Sequence, residues 1–265
     1  MDYKINEIAK ILNLSKQMIR YYEQCGVIQP ARLEKNNYRV YNTLDYFTLA
    51  EAIGLSQFNV NIKDIYNVKA IQYNDAMSKC YRDYIQDIDE ELLYKQNMRK
   101  RAKELLDRID LAELNIGITM IKKIPAYRLF PLVQSKDDQY DKISTPEEVR
   151  PILNSLKTLP FGDGFFEIGN GIDLWSIGIQ KEYLSCLDIP DCDDITDIEE
   201  QYCLCKIINM GEIGEFKTEM IQKEIDQLMS LNYIFIGKPK CLLLCRGSVN
   251  GEFHRLMEIQ IPIKR

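Results

Sequence analysis

The chain has 265 residues, 46% of them hydrophobic and 28% charged, and carries a formal net charge of −6. No run of about 18 apolar residues marks a membrane span, and MDYKINEIAKIL lacks the uninterrupted apolar core of a signal peptide. A cytoplasmic protein of one large or two smaller domains is expected, its eight cysteines reduced and mostly buried.

The acidic total speaks against a polyanionic partner only until the chain is divided. Residues 1–41 carry seven Lys/Arg against four Asp/Glu, whereas residues 117–265 carry seventeen against twenty-three. Local charge, not the total, decides contact with phosphate.

From the N-terminus, Ile5, Ile8, Ala9 and Leu12 make a short amphipathic helix after Asn6, and Asn13-Leu14 is a turn. Ser15 caps a second helix in which Met18, Ile19 and Tyr22 form the apolar stripe. Lys16, Gln17, Arg20 and Tyr21 fall outside that stripe. Gly26 ends the helix in a left-handed conformation, and Asn36-Asn37 suits a hairpin turn flanked by Arg32, Lys35, Tyr38 and Arg39. Two helices joined by a short turn predict a helix-turn-helix, its second helix bound for the major groove of double-stranded DNA and its ribbon tip for phosphates. The candidate DNA contacts are Lys16, Gln17, Arg20, Tyr21, Tyr38, Arg39 and Tyr41, with Arg20 and Arg39 foremost.

Thr43 opens a third helix, with Phe47, Leu49, Ala50 and Ile53 as apolar positions and Gly54 at its end; Asn61 caps another containing Ile62, Ile65 and Val68. Residues 76–114 hold neither Gly nor Pro and read as one long helix. A heptad runs through it, with Tyr81, Ile88, Lys95, Ala102 and Ile109 at one position and Tyr84, Glu91, Met98 and Leu105 at the other. Ile85, Leu92 and Leu106 widen the stripe, which predicts a short coiled coil; packing on the helix's own domain is the alternative.

Asn115-Ile116-Gly117 breaks that helix, and an α+β segment follows. Ile118–Val133 reads as strand, Thr145 or Pro146 through Leu156 as helix, and Gly164–Asn170, Leu174–Tyr183 and Tyr202–Asn209 as strands. Ile213–Leu231 is an amphipathic helix with Phe216, Met220, Ile221, Ile225 and Leu228 inside, and Lys240–Arg246 and His254–Ile263 close the set as strands. The order strand, helix, strand, strand occurs twice, which suggests a pseudo-duplicated domain.

Met18-Ile19-Arg20-Tyr21-Tyr22-Glu23, Gly26-Val27-Ile28 with Pro30 and Arg32, and Asn37-Tyr38-Arg39-Val40-Tyr41 resemble, in order and register, the N-terminal domain of the MerR family of bacterial transcription regulators. Asn37 stands where that family usually has Gly, and Asn tolerates the same positive φ. Lys123-Ile124-Pro125-Ala126-Tyr127 and Glu258-Ile259-Gln260-Ile261-Pro262-Ile263 resemble, more loosely, segments of GyrI-like effector-binding domains, which follow MerR-type heads in multidrug-responsive activators.

The resemblance implies an α+β multidomain fold in three parts. These are a winged helix-turn-helix over 1–75, an antiparallel coiled-coil dimerisation helix over 76–116, and a GyrI-like domain of two β-α-β-β units over 117–265. It implies a homodimer on promoter DNA, working with RNA polymerase and distorting the promoter spacer when a small aromatic or multidrug-type effector binds. No cofactor, structural metal, membrane or catalytic residue is called for. In such a domain the effector sits between the repeats in an aromatic pocket. Tyr127, Phe166, Trp175, Tyr183, Met210 and Phe253 are the candidates for its walls. Drug-binding members place a buried Glu in the strand before the last. Here that strand, Lys240-Cys241-Leu242-Leu243-Leu244-Cys245, has none, and Glu167 and Glu258 are the nearest substitutes, so the charge of the effector stays open.

Two other classes compete. A metal or thiol-redox sensor would use Cys80, or else Cys203-x-Cys205 or Cys241-x3-Cys245 as a pair, though the loop from Leu114 to Tyr127 has no Cys or His. A hydrolase of small electrophiles would need a nucleophile and base, and His254 is the one histidine.

Overall fold

The computed structural model describes residues 2–35, 37–61, 73–141, 147, 149–187, 189, 195–212, 214–249 and 252–264. Asn36, the short helix expected after Asn61, the helix start at Thr145 or Pro146, Cys192 and the side chain of Phe253 lie outside the described parts. The chain forms two compact units, Met1–Leu92 and Leu93–Arg265.

The first unit begins with α1 (Ile5–Ile11), a turn with Asn13 at φ +52°, and α2 (Lys16–Gln24). Ser15 caps α2 as expected, its hydroxyl accepting the Met18 N–H at 3.1 Å. Helix α1 starts at Ile5, before rather than after Asn6, with the Glu7 carboxylate accepting the N–H of Lys4 at the cap position. Gly26 takes φ +78°, which turns the chain from α2 into Val27 and Ile28 of the core. A two-stranded ribbon follows, β1 (Ala31–Arg32) against β2 (Arg39–Val40), closed by Asn37 at φ +55°. Helix α3 (Thr43–Ser56) is capped by Asn42 and Asp45, and it runs through Gly54 rather than stopping there. Ile8, Ile19, Tyr22, Tyr41, Leu49, Leu55 and Met77 share one core, with Cys80 packed against it.

Helix α4 (Tyr73–Ala112) runs unbroken, as the absence of Gly and Pro predicts, and divides its residues between the two units. Its faces differ from the expected heptad. Met98 packs into a core beside Phe130, Phe161 and Tyr183, and Leu105 is half-buried. Ile85, Leu92, Leu106 and Ile109 are exposed instead. The stripe is thus two seams, and the one at 85, 92 and 106, a seven-residue spacing interrupted by Arg99, faces solvent.

The second unit is built on one antiparallel sheet. Its strands are β3 (Thr119–Ile124), β4 (Tyr127–Lys136), β5 (Gln139–Tyr140), β6 (Gly162–Glu167), β7 (Asp173–Gln180), β8 (Thr196–Ile198), β9 (Gln201–Asn209), β10 (Lys240–Val249) and β11 (Glu252–Pro262). The single strand expected over Ile118–Val133 is two, because Pro125-Ala126 turns the chain and β3 and β4 go to different places in the sheet. The spatial order β3-β9-β11-β10-β6-β7-β4-β5 contains the same unit twice. β4, α5 (Arg150–Leu153), β6 and β7 form one, and β9, α6 (Thr218–Met229), β10 and β11 the other. They join where β6 meets β10, with Phe166 opposite Cys241 and Phe165 opposite Leu242. Helix α6 is shorter than its sequence pattern, and Phe216 reaches the core from the loop before it.

Candidate nucleic-acid interface and ligand cavity

In the head, α2 buries Ile19 and Tyr22 and leaves Lys16, Gln17, Arg20 and Tyr21 exposed, as the helical spacing requires. Met18, assigned to the apolar stripe, is 43% exposed and belongs to the same outer face. On the ribbon Tyr38, Arg32 and Lys35 are exposed. Two of the expected contacts are placed otherwise. Tyr41 is fully buried in the head core, its backbone paired with Tyr3, so its side chain is not on the DNA-facing surface. Arg39 lies opposite Arg32 on the ribbon, but its Nε donates to Glu23 of α2 at 2.7 Å. Such a half-exposed ion pair contributes about 1 kcal/mol or less to stability. Its geometric effect is larger, because it ties the ribbon to the recognition helix. The signal was in the sequence: Glu23 closes the Tyr21-Tyr22-Glu23 run on the side of α2 that faces the ribbon.

In the second unit, strand alternation sorts the expected pocket residues onto two faces. Phe166, Trp175 and Met210 point toward α6, where Phe166 packs against Trp175 and Phe216 with ring centroids 5.0 and 5.5 Å apart. Tyr183 is buried with Phe161 and Phe130. These four are core residues. The opposite face carries Tyr127, Leu129, Phe165, Cys203, Cys205 and Leu242. Choosing Phe166 over Phe165 was a one-residue error, and in a strand one residue changes the face. Gly178 makes room there, since a Cβ on it would lie 2.4 Å from the Phe165 ring and 2.8 Å from Leu129.

A cavity of about 490 Å³ opens on this face, walled by Glu104, Arg108 and Leu111 of α4 and by Met120, Lys122, Tyr127, Gln180, Leu242, Glu258 and Gln260 of the sheet. Glu258 is 2% exposed, and the register sets it opposite Leu242 of β10, beside the strand that lacks a carboxylate. It is not a free anion, since Lys122 pairs with it and the Gln260 amide donates to it at 2.9 Å. The alternation Glu258-Ile259-Gln260-Ile261 is the sequence sign of that polar floor. A second cavity of about 470 Å³ lies on the same face beside Phe165, Glu167, Ile198 and Lys240, and Ile124, Tyr127 and Gln260 line both. Glu167 is paired with Lys240.

The wall between α4 and the sheet is held by buried charge. Asp163 accepts from Arg101 at 2.6 Å, from Arg108 at 2.6 Å and from the Tyr127 hydroxyl at 3.2 Å. Glu104 accepts from Tyr183 at 2.6 Å and from Gln180 at 3.1 Å. Burial pushes the Asp163 carboxyl up, but the hydrogen bonds and charge of Arg108 and then Arg101 outweigh it and hold the group below the usual carboxylate range. Burial, then the Asp163 charge, pushes the Tyr127 phenol up, so it remains a donor. None of Asp163, Arg101, Arg108 or Glu104 stood out in the sequence, because each is defined by a partner about 55–79 residues away.

The thiols give little to a metal. Cys203 and Cys205 share the cavity face, but burial and then the Glu258 charge raise both, Cys203 to about 12, which disfavours the thiolate a metal needs. Among the described residues no three His, Cys, Asp or Glu side chains gather as a metal site. No helix among them is long and apolar enough to cross a membrane.

Residues 3–70 match the family described as MerR HTH family regulatory protein. The chain is 26% identical over 106 residues to the HTH-type transcriptional regulator HmrR of Sinorhizobium medicae, covering 38% of this chain and 72% of that protein. The same figures hold for heavy metal-dependent transcription regulator 2 of Rhizobium meliloti. A solved EcmrR–DNA complex aligns over 99% of this chain and 100% of that one at 12% identity, with a TM-score of 0.35, a superposition too loose to add to the sequence match. Over residues 3–70, therefore, the chain matches the helix-turn-helix family of MerR regulatory proteins.

Proposed function

We propose that this is a homodimeric, effector-responsive activator. In this reading a MerR-type head of residues 1–75 binds promoter DNA, a helix of residues 76–116 holds the dimer, and a GyrI-like domain of residues 117–265 takes a small molecule. The observation that carries it is the 490 Å³ cavity, because one of its walls is α4, a helix whose Met77 belongs to the core of the head. The duplicated β-α-β-β order supports the GyrI-like assignment. The exposed seam of Ile85, Leu92, Leu106 and Ile109 supports pairing through α4. The cavity has apolar walls and more carboxylates (Glu104, Asp107, Glu182, Glu258) than cations (Arg108, Lys122), which fits a lipophilic aromatic cation.

The head would sit on a spacer that is too long and distort it so that RNA polymerase engages both promoter elements. Bending of this kind costs about 1–6 kcal/mol, and a ligand shifts the balance only by its differential affinity for the two states. The test combines calorimetric titration with tetraphenylphosphonium, spacer footprinting with and without it, and transcription from spacers shortened by one or two base pairs. Binding, a changed footprint and ligand-independent transcription from the short spacer are expected; identical footprints and a silent short spacer would refute the distortion. Metal dependence, as in the name of the Rhizobium meliloti relative, is the second reading, and a stoichiometric metal assay on the purified protein decides it.

A further inference from the structure

The cavity and the helix are connected through one residue. Tyr127 lines both cavities on this sheet face, so a molecule in either one lies against this residue. Its hydroxyl donates to Asp163 at 3.2 Å. Asp163 lines neither cavity, yet its two oxygens hold the guanidinium groups of Arg101 and Arg108, seven residues apart on α4. Arg101 is itself 2% exposed and donates to the Pro160 carbonyl at 3.2 Å, so both ends of this chain of bonds are fixed.

We infer that Tyr127 is a positioning residue that converts occupancy of the cavity into a change in how α4 is held, acting through Asp163 on Arg101 and Arg108. The inference rests on the ligand-cavity reading above. Displacing the Tyr127 ring removes or redirects one of the three donors on Asp163, and a buried carboxylate shared by two guanidiniums redistributes its bonds when a donor leaves. The guanidinium that gains or loses a bond lies on α4, one or the other side of two helical turns. Glu104, between the two arginines on the same helix, lines the cavity directly and is bonded to Gln180 and Tyr183, which gives α4 a second hold in the same wall.

The experiment follows amide hydrogen exchange of residues 93–112 in the full-length protein, with and without saturating tetraphenylphosphonium, while calorimetry reads its binding separately. In the wild type, probe binding should change exchange in this segment by about fivefold or more, the lower end of ordinary allosteric coupling. In Tyr127→Phe, which keeps the ring and removes the donor, the change should fall below about twofold at saturation, whatever the probe affinity. Asp163→Glu, which keeps the charge, should retain part of the response, and Asp163→Asn should lose it. A Tyr127→Phe protein that binds the probe and still shows the full exchange change overturns the relay and leaves the cavity reading standing. A wild type that binds no probe overturns the cavity reading, and the relay with it.

Discussion

The two units are stabilised differently. Among its described residues the head has a small core and one ion pair between ribbon and α2, Arg39–Glu23, half-open to water. The second unit places whole charges in its interior, with Asp163, Arg101 and Glu258 all below 5% exposed. Surface pairs adjust geometry at little energetic gain, whereas buried ones become costly when one member is removed. Mutations in the head should therefore act on DNA affinity with little loss of stability, and mutations in the second unit should act on stability first.

The largest expected effect breaks that contrast at its strongest point. Asp163→Ala strands two guanidiniums and should cost about 3–5 kcal/mol. Thermal unfolding followed by circular dichroism should show the loss. Next is Gly178→Ala, whose Cβ would meet the Phe165 ring at 2.4 Å and cost about 1–3 kcal/mol of overpacking, read from a urea midpoint. The third effect depends on pH. Asp138 is desolvated, which raises it, but two hydrogen bonds from Arg255 and the N–H groups of Gly214 and Phe216 bring it down to about 2. A carboxylate lowered in the folded state adds stability that is full above its unfolded pKa of about 3.8 and is lost as pH falls toward 2. On the order of 1–2 kcal/mol should disappear over that interval, and Asp138→Asn should abolish this dependence in acid titrations.

The smallest expected change in stability belongs to the head and sharpens its side of the contrast. If Arg39 positions the ribbon through Glu23, then Glu23→Gln and Arg39→Ala should both weaken DNA binding severalfold while each shifts stability by about 1 kcal/mol or less. If Arg39 meets phosphate instead, Glu23→Gln should bind as well as the wild type or better, and only Arg39→Ala should lower the salt slope.

The same contrast explains what could be read before folding. The head is written in short-range signals: Ser15 as cap, Gly26 and Asn37 at positive φ, Ile19 and Tyr22 one helical step apart. These lie within a few residues of what they control, and all were legible. Arg39 and Tyr41 misled because strand and core positions near a basic ribbon share its composition. In the second unit the repeat was legible, and so was the order of the longer elements apart from the break at Pro125-Ala126 and the short β5 and β8. The cavity was not, because its walls come from α4 and from strands distant in sequence, and because Phe165 and Phe166 differ only in which face they take. Of the predicted pocket set, Tyr127 and Glu258 reach the larger cavity, and Tyr127 and Glu167 the second.

The crossing at Pro125-Ala126 has a mechanical meaning. Helix α4 continues into β3, and β3 is stitched to β9, a strand of the second repeat. The arginines of α4 grip Asp163 at the start of β6, a strand of the first repeat. One helix is therefore fixed to both repeats of the sheet, which meet where β6 pairs with β10. A shift of one repeat against the other would therefore be felt by α4 at both attachments, which are about 11–20 residues of helix and turn apart.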